Sequence, residues 1–173
     1  MLGALLLMAL AYAVVGRISL LLAIPPAYAS PLYPPAGMAL VFVLLYGRSA
    51  AAAVAVGAIV INLLLNPLRA VGLAEVVIGL GAGLQALVAA ELVQRMVRQP
   101  LTLSAPRDIA RFYLFGALIG CLVSASVATA ALAVADVVPA SAWPMTWLTW
   151  WMGDALGTLI ARAMRERTGA DLV

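Results

Sequence analysis

Long apolar runs, separated by short polar or proline-containing connections, extend along the whole of this chain. A helix needs about 20 mostly apolar residues to cross the hydrocarbon region of a bilayer. The runs that meet or approach this length predict helices over about 2–24, 36–46, 50–65, 70–93, 109–135 and 145–164. The pattern therefore predicts one all-α domain over residues 1–173, a polytopic integral membrane bundle of about six transmembrane helices.

The composition supports this interpretation and argues against metal-binding and catalytic sites. Hydrophobic residues make up 66% of the chain, charged residues 10%, and the mean hydropathy is +1.12. Soluble domains average about 45–50% apolar and about 25% charged residues, so the apolar excess must face lipid. Cys121 is the only cysteine and histidine is absent, which argues against a zinc or soft-metal site. No nucleophile, base and orienting group occur together, so no catalytic residue and no enzymatic activity are predicted.

The positions of the arginines along the chain indicate how the chain is oriented in the membrane. If six helices alternate across the membrane, all arginines except Arg17 and Arg69 fall on one side. Basic residues accumulate in cytoplasmic connections, so both termini are predicted to be cytoplasmic, in a bacterial inner membrane. The net charge of +3 then reflects topology, and binding of nucleic acid is not expected.

Polar residues within the predicted spans indicate a possible site, because such residues are costly in a bilayer and often functional. Arg17, Asn62, Glu75 and Asp154 all fall in the predicted outer half of the membrane, at the level of the segment Tyr33, Pro34, Pro35, Ala36 and Gly37. One hypothesis is an outward-facing pocket in which Asp154 or Glu75 neutralises Arg17. The alternative is a structural ion pair that holds helices one, four and six together. Gln85 is predicted to lie deeper, near mid-membrane.

Small residues recur at four-residue spacing in the last two predicted helices, which lets helix backbones approach closely. These positions are Gly116, Gly120 and Ser124 in the fifth helix and Gly153, Gly157 and Ala161 in the sixth. Internal helix packing is the first interpretation, and homodimer contact is the alternative.

Two segments together resemble the membrane-associated sensor (MASE) family of the first type. One is the segment 31–40, followed by 44–48 and then by Asn62, and the other is the tryptophan-rich segment 147–157 with its Gly-Asp pair. The positions that match are Pro34, Pro35, Gly37, Asn62, Trp151, Gly153, Asp154 and Gly157. The resemblance adds Trp151 to the candidate binding residues, and it implies an integral membrane sensory module of the kind that usually precedes a histidine kinase or a diguanylate cyclase.

The chain departs from the usual family pattern in having about six spans instead of about eight and no output domain, which suggests a short stand-alone relative. The sequence therefore favours a non-enzymatic sensor-like module that binds a ligand or a partner membrane protein through the outer polar layer. Membrane lipids, a partner membrane protein or a second copy of the chain are the expected partners. An accessory structural subunit of a larger membrane complex and a small-solute transport component are the alternatives, and no particular cofactor is indicated.

Overall fold

The computed structural model describes residues 2–23, 29–65, 72–97 and 105–168, of which 65 and 161–168 are described by their backbone alone. Within these ranges the chain is an all-α bundle, as the sequence predicts. Its helices are α1 (Leu2–Ser19, extended by a 3-10 turn at Leu20–Leu22), α2 (Pro34–Tyr46), α3 (Ala50–Leu65), α4 (Leu73–Met96), α5 (Pro106–Arg111), α6 (Leu122–Val134) and α7 (Trp143–Thr168).

A π-helical segment, Phe112–Ile119, joins α5 to α6, so that Pro106–Val134 forms one apolar span. The seven α-helices thus make six spans. By length and composition, Leu2–Leu22, Leu73–Met96 and Pro106–Val134 could each cross a membrane, while α2 and α3 are apolar but shorter. The second helix begins at Pro34, two residues before the predicted start, because proline fits a first helical position where no backbone donor is needed.

Large apolar side chains cover the outside of the bundle, and small ones fill its interior. On α1 alone, the exposed residues include Leu2, Leu6, Leu7, Leu10, Val14 and Ile18. The buried core, in contrast, is dominated by alanine, with Ala50, Ala86 and Ala117 almost completely enclosed. A bilayer accepts apolar side chains on the outside, and small residues inside allow the helices to approach closely. The distribution is that of a membrane protein.

The glycine-rich stretch of α4 packs against α3. A Cβ at Gly79 would lie 2.9 Å from the carbonyl oxygen of Ala55, and one at Gly83 would lie 2.8 Å from that of Ala51. These are contacts with backbone, which cannot rotate away. The α3–α4 pair therefore depends on residues without side chains at both positions.

The proline-rich connection between α1 and α2 is described over residues 29–33, and this part lies between α1 and α7. The Ser30 hydroxyl oxygen lies 2.9 Å from the carbonyl oxygen of Ser19 and 2.8 Å from that of Leu32, so its single hydrogen can bond to either. Gly153 and Gly157 of α7 face this connection, since a Cβ on either would overlap the carbonyl oxygen of Ser30 or Tyr33 respectively. The small residues of α7 thus pack inside the molecule, against the connection and the start of α2.

The other predicted small-residue positions also lie inside the bundle. A Cβ at Gly120 would lie 2.7 Å from the Cβ of Ala89, and one at Gly116 would lie 3.0 Å from Val93, both on α4. Ser124 is buried. The side chain of Ala161 lies outside the described residues.

Indole N–H groups of α7 donate hydrogen bonds to the neighbouring span. The pairs are Trp147 to the Ser126 hydroxyl (3.1 Å), Trp150 to the Ser124 hydroxyl (3.2 Å) and Trp151 to the Leu118 carbonyl oxygen (2.8 Å). The rings of Trp147 and Trp151 also stack, with centroids 6.0 Å apart. Tryptophans from three helical positions therefore fix the distance between α7 and the Pro106–Val134 span.

Candidate functional site

A cavity of about 260 Å³ lies between the spans, towards the end of the bundle that is farther from Leu2 and Thr168. We call it the acidic cavity. Its polar lining includes Tyr33, Asn62, Glu75, Gln85, Ser124 and Asp154. One water requires only about 10–15 Å³ on a comparable measure, so the cavity has room for a small molecule.

One face of α4 forms a wall of the acidic cavity. Glu75, Ile78, Ala82 and Gln85 follow one another at intervals of three or four residues, and all four line the cavity. Residues at this spacing lie on the same helix face. With a rise of about 1.5 Å per residue, Glu75 and Gln85 stand about 15 Å apart along α4. The wall thus carries one polar group near each of its ends.

Asp154 of α7 is the most deeply buried acidic residue of the site, with 2% of its surface exposed. The polar side chains of Gln85 and Ser124 lie close to its carboxyl group. Ser124 in turn accepts the indole N–H of Trp150, which precedes Asp154 by one helical turn and lines the same cavity. Three spans therefore contribute to one polar cluster around a carboxyl group.

Two buried acceptor atoms in the lining have no hydrogen-bond partner among the described residues. They are Oε1 of Gln85, whose residue is 5% exposed, and Oε2 of Glu75. The Glu75 carboxyl group lies beside Gly72 in the first turn of α4, where the helix dipole favours a negative charge. Buried polar atoms in native proteins are nearly always paired, so an unpaired acceptor indicates a place for a ligand or water.

Tyrosines close the side of the acidic cavity next to α1. The rings of Tyr12 and Tyr33 meet edge to face with centroids 6.3 Å apart, and Tyr12 is almost fully buried. Gly16 leaves space for this pair, because a Cβ there would lie 2.9 Å from the Tyr33 hydroxyl oxygen. The Asn62 amide donates to the carbonyl oxygen of Ala58 at 2.8 Å, which fixes its orientation at the wall.

The expected ion pair between Arg17 and an acidic residue of the layer is wrong for the described part of the chain. Arg17 is exposed and does not line the acidic cavity, whereas Asp154 and Glu75 do. The described salt bridges both involve Glu91, which pairs with Arg95 at 2.7 Å and with Arg48 at 3.2 Å. Equal depth in the membrane brings residues to one level, but only the helix rotation decides whether they face each other.

The other candidates divide between the cavity and its surroundings. Tyr33, Asn62, Glu75 and Asp154 line it. The remaining candidates lie elsewhere: Pro34, Pro35 and Gly37 form the first turns of α2, and Trp151 binds Leu118.

The sequence interpretation missed two aromatic residues of the lining, Tyr12 and Trp150. The position of Trp150 one turn before Asp154 is a signal that could have identified it. Tyr12 offers no such signal, because large apolar residues occur all around α1.

Metal chemistry has no evident basis in the described residues, which contain no group of three or more histidine, cysteine, aspartate or glutamate side chains suited to hold an ion. Cys121 is a buried free thiol whose sulfur lies 3.7 Å from the Thr158 hydroxyl oxygen. It packs beside α7 as a small apolar residue.

Comparison with known proteins identifies the family. The MASE1 family model matches residues 2–163, which include α1 to α6, most of α7 and the whole described lining of the acidic cavity. No match was found among curated proteins or among solved structures. The family match agrees with the resemblance of the proline-rich and tryptophan-rich segments. The chain belongs to the MASE1 family of membrane-associated sensor domains.

Proposed function

We propose that this protein is a non-enzymatic sensory module that binds a ligand in the acidic cavity and reports the bound state to a partner membrane protein. The observation that supports it most directly is the buried cluster of Asp154, Gln85 and Ser124 beside an open volume of about 260 Å³. A purely structural cluster would be expected to satisfy its own polar atoms and leave no such space.

Polar atoms that are buried without a hydrogen-bond partner make the folded state less stable. Leaving a buried acceptor unpaired costs about 1–3 kcal/mol, and this lining contains two such atoms in its described part, on Gln85 and Glu75. A ligand that donates hydrogen bonds would recover part of that cost on binding. The buried polar atoms of the cavity are therefore available to bind a molecule that enters from outside the bundle.

The distribution of arginines supports an orientation for this site. Arg48 and Arg95 lie with Glu91 at the end of the bundle opposite to the acidic cavity. If that end is cytoplasmic, as the positive-inside rule favours, the cavity opens towards the outer half of a bacterial inner membrane. The module would then sample the periplasmic side or the outer leaflet.

The alternatives receive less support from the packing. Gly116, Gly120, Gly153 and Gly157 are all occupied by contacts within the chain, so they offer no free face for a homodimer or for a larger complex. A transport role would need a pathway to the other side of the bundle, and the acidic cavity lies towards one end.

The test is co-purification of protein partners and small molecules. Wild-type protein, tagged and expressed at its native level, is extracted in mild detergent, and mass spectrometry identifies what travels with it. Ala82→Phe fills the cavity from α4, and Leu80→Phe is the matched control because Leu80 is 57% exposed on the same helix. A small molecule or partner should accompany the wild type and the control and be lost from Ala82→Phe. Wild-type protein that carries neither would overturn the proposal.

A further inference from the structure

We propose that the acidic cavity binds a small organic cation, with its ammonium group at Asp154 and Gln85 and its apolar body along α4. This deepens the proposed function by naming a ligand class for the same site, and it rests on that function. Four observations support it: the charge of the lining, the kind of hydrogen-bonding atom left unpaired, the chemistry of the walls and the volume.

The charged side chains in the described lining of the cavity are acidic. Asp154 and Glu75 are acidic, and the described lining contains no arginine. The one arginine within the α1 span, Arg17, is exposed and does not reach the cavity. A carboxylate in a low-dielectric interior is costly without an opposite charge close to it. A cationic ligand supplies that charge, whereas an anionic ligand would add repulsion.

The unpaired atoms are acceptors. The amide oxygen of Gln85 and a carboxylate oxygen of Glu75 accept hydrogen bonds, and the Ser124 hydroxyl oxygen already accepts from Trp150. An ammonium group carries three donors and no acceptor. It could donate to Asp154 and to Gln85 together, because these two side chains lie close to each other. A ligand rich in acceptors would leave the same atoms unpaired.

The walls and the volume favour an organic molecule over a bare ion. Tyr12, Tyr33 and Trp150 provide aromatic surfaces near the cluster, and such rings attract cations through their faces. Ile78 and Ala82 provide an apolar strip from Gln85 towards Glu75. The volume of about 260 Å³ far exceeds that of one ion. A molecule with one charged end and an apolar body matches both surfaces.

The distance between the polar residues of α4 indicates where the charged end of the ligand lies in the cavity. Glu75 stands about 15 Å from Gln85 along the helix, so one ammonium group cannot meet both ends of the wall. Asp154 is the more deeply buried acid and has two polar neighbours. The charged end is therefore assigned to Asp154, and Glu75 lies near the far end of the apolar body.

The test uses three probes of nearly the same shape on the purified full chain in lipid nanodiscs. They are 2-phenylethylammonium, the neutral 2-phenylethanol and the anion phenylacetate, with affinities measured by isothermal titration calorimetry. The ammonium probe should bind about tenfold or more tightly than the alcohol, as expected for a charged hydrogen bond, and phenylacetate should not bind.

Substitutions at Asp154 and at an exposed aspartate test whether the ammonium group of the ligand lies at Asp154. Asp154→Asn should reduce the affinity for the ammonium probe about tenfold and leave that for the alcohol nearly unchanged. Asp136→Asn removes the same charge at an exposed position with a φ of 55°, which asparagine tolerates, and should bind all probes like the wild type. If Asp154→Asn does not fold, Gln85→Leu should weaken the ammonium probe selectively.

The outcomes separate this inference from the proposed function. If the alcohol or phenylacetate binds as tightly as the ammonium probe, the cation assignment is overturned while the cavity remains a ligand site. If no probe binds, the cation assignment is overturned as well, and the co-purification test with Ala82→Phe decides the proposed function separately. An ammonium preference that survives Asp154→Asn would overturn the assignment of the charge.

Discussion

The backbone N–H of Tyr33 donates a hydrogen bond to the carbonyl oxygen of Gly153 at 3.0 Å. This contact joins the residue that precedes α2 to the third turn of α7, at the residue immediately before Asp154. It is possible only because α7 presents glycine to the proline-rich connection at that level. The geometry of the acidic cavity therefore depends on contacts between backbones, and the first prediction concerns them.

Gly157→Ala should destabilise the protein, because its Cβ would overlap the carbonyl oxygen of Tyr33 and lie 2.9 Å from the nitrogen of Pro34. Overpacking of this kind costs about 1–3 kcal/mol. Gly3→Ala is the control, since a Cβ there meets nothing within 4 Å and alanine favours the helix. The measurement is the apparent melting temperature in detergent. Equal melting temperatures for the two variants would show that α7 does not approach the connection this closely.

Trp150 and Ser124 should be energetically coupled. The indole N–H donates to the Ser124 hydroxyl at 3.2 Å, and both side chains line the acidic cavity. A double-mutant cycle with Trp150→Phe and Ser124→Ala should give a coupling free energy of about 0.5–1.5 kcal/mol. Trp143→Phe combined with Ser124→Ala is the control, because Trp143 donates to the carbonyl oxygen of Val138 instead. A cycle that closes to zero for Trp150 would contradict the hydrogen bond.

Two threonines should respond in opposite directions to replacement by valine. The hydroxyl of Thr129 is buried and has no hydrogen-bond partner among the described residues, so Thr129→Val should raise the free energy of unfolding by about 1 kcal/mol. The hydroxyl of Thr158 donates to the Asp154 carbonyl oxygen at 3.0 Å, so Thr158→Val should lower it by about the same amount. The pair is compared by thermal unfolding in the same detergent. Stabilisation by both, or by neither, would contradict the assigned pairing.

Arg17→Leu should leave ligand binding within about twofold of the wild type, as is usual for surface substitutions away from a site. Arg17 is exposed and outside the cavity lining, in contrast to Asp154. The measurement is the affinity for the cationic probe in nanodiscs, with Asp154→Asn measured in parallel. A loss with Arg17→Leu as large as that with Asp154→Asn would restore the ion pair that the sequence suggested.

The sequence was sufficient to predict most of the architecture because a bilayer imposes simple rules. Apolar runs of fixed length give the spans, and prolines give the connections. The same rules placed Asn62, Glu75 and Asp154 at one depth, and the structure brings all three to the lining of one cavity. Depth follows directly from the rise of a helix, so it can be read from sequence position alone.

Rotation about the helix axis could not be predicted in the same way. Large apolar side chains occur all around α1, so nothing in the sequence shows that Tyr12 faces inward and Arg17 outward. The segment that packs against Gly153 and Gly157 could not be predicted either. Their four-residue spacing predicts that another part of the chain packs closely here, but it does not identify that part. The π-helical segment at Phe112–Ile119 has no distinct sequence signal either, as it lies within a uniform apolar run.

An interior built from alanine and glycine has a consequence for how this protein can change. Positions such as Ala50, Gly83 and Gly157 have no room for a larger side chain, while the exposed leucines of α1 could be exchanged for any residue of similar apolarity. Mutations should therefore accumulate on the lipid-facing surface and be removed at the small interior positions. Distant relatives of this chain would then share the places where side chains are missing, more than the large residues that make up most of its mass.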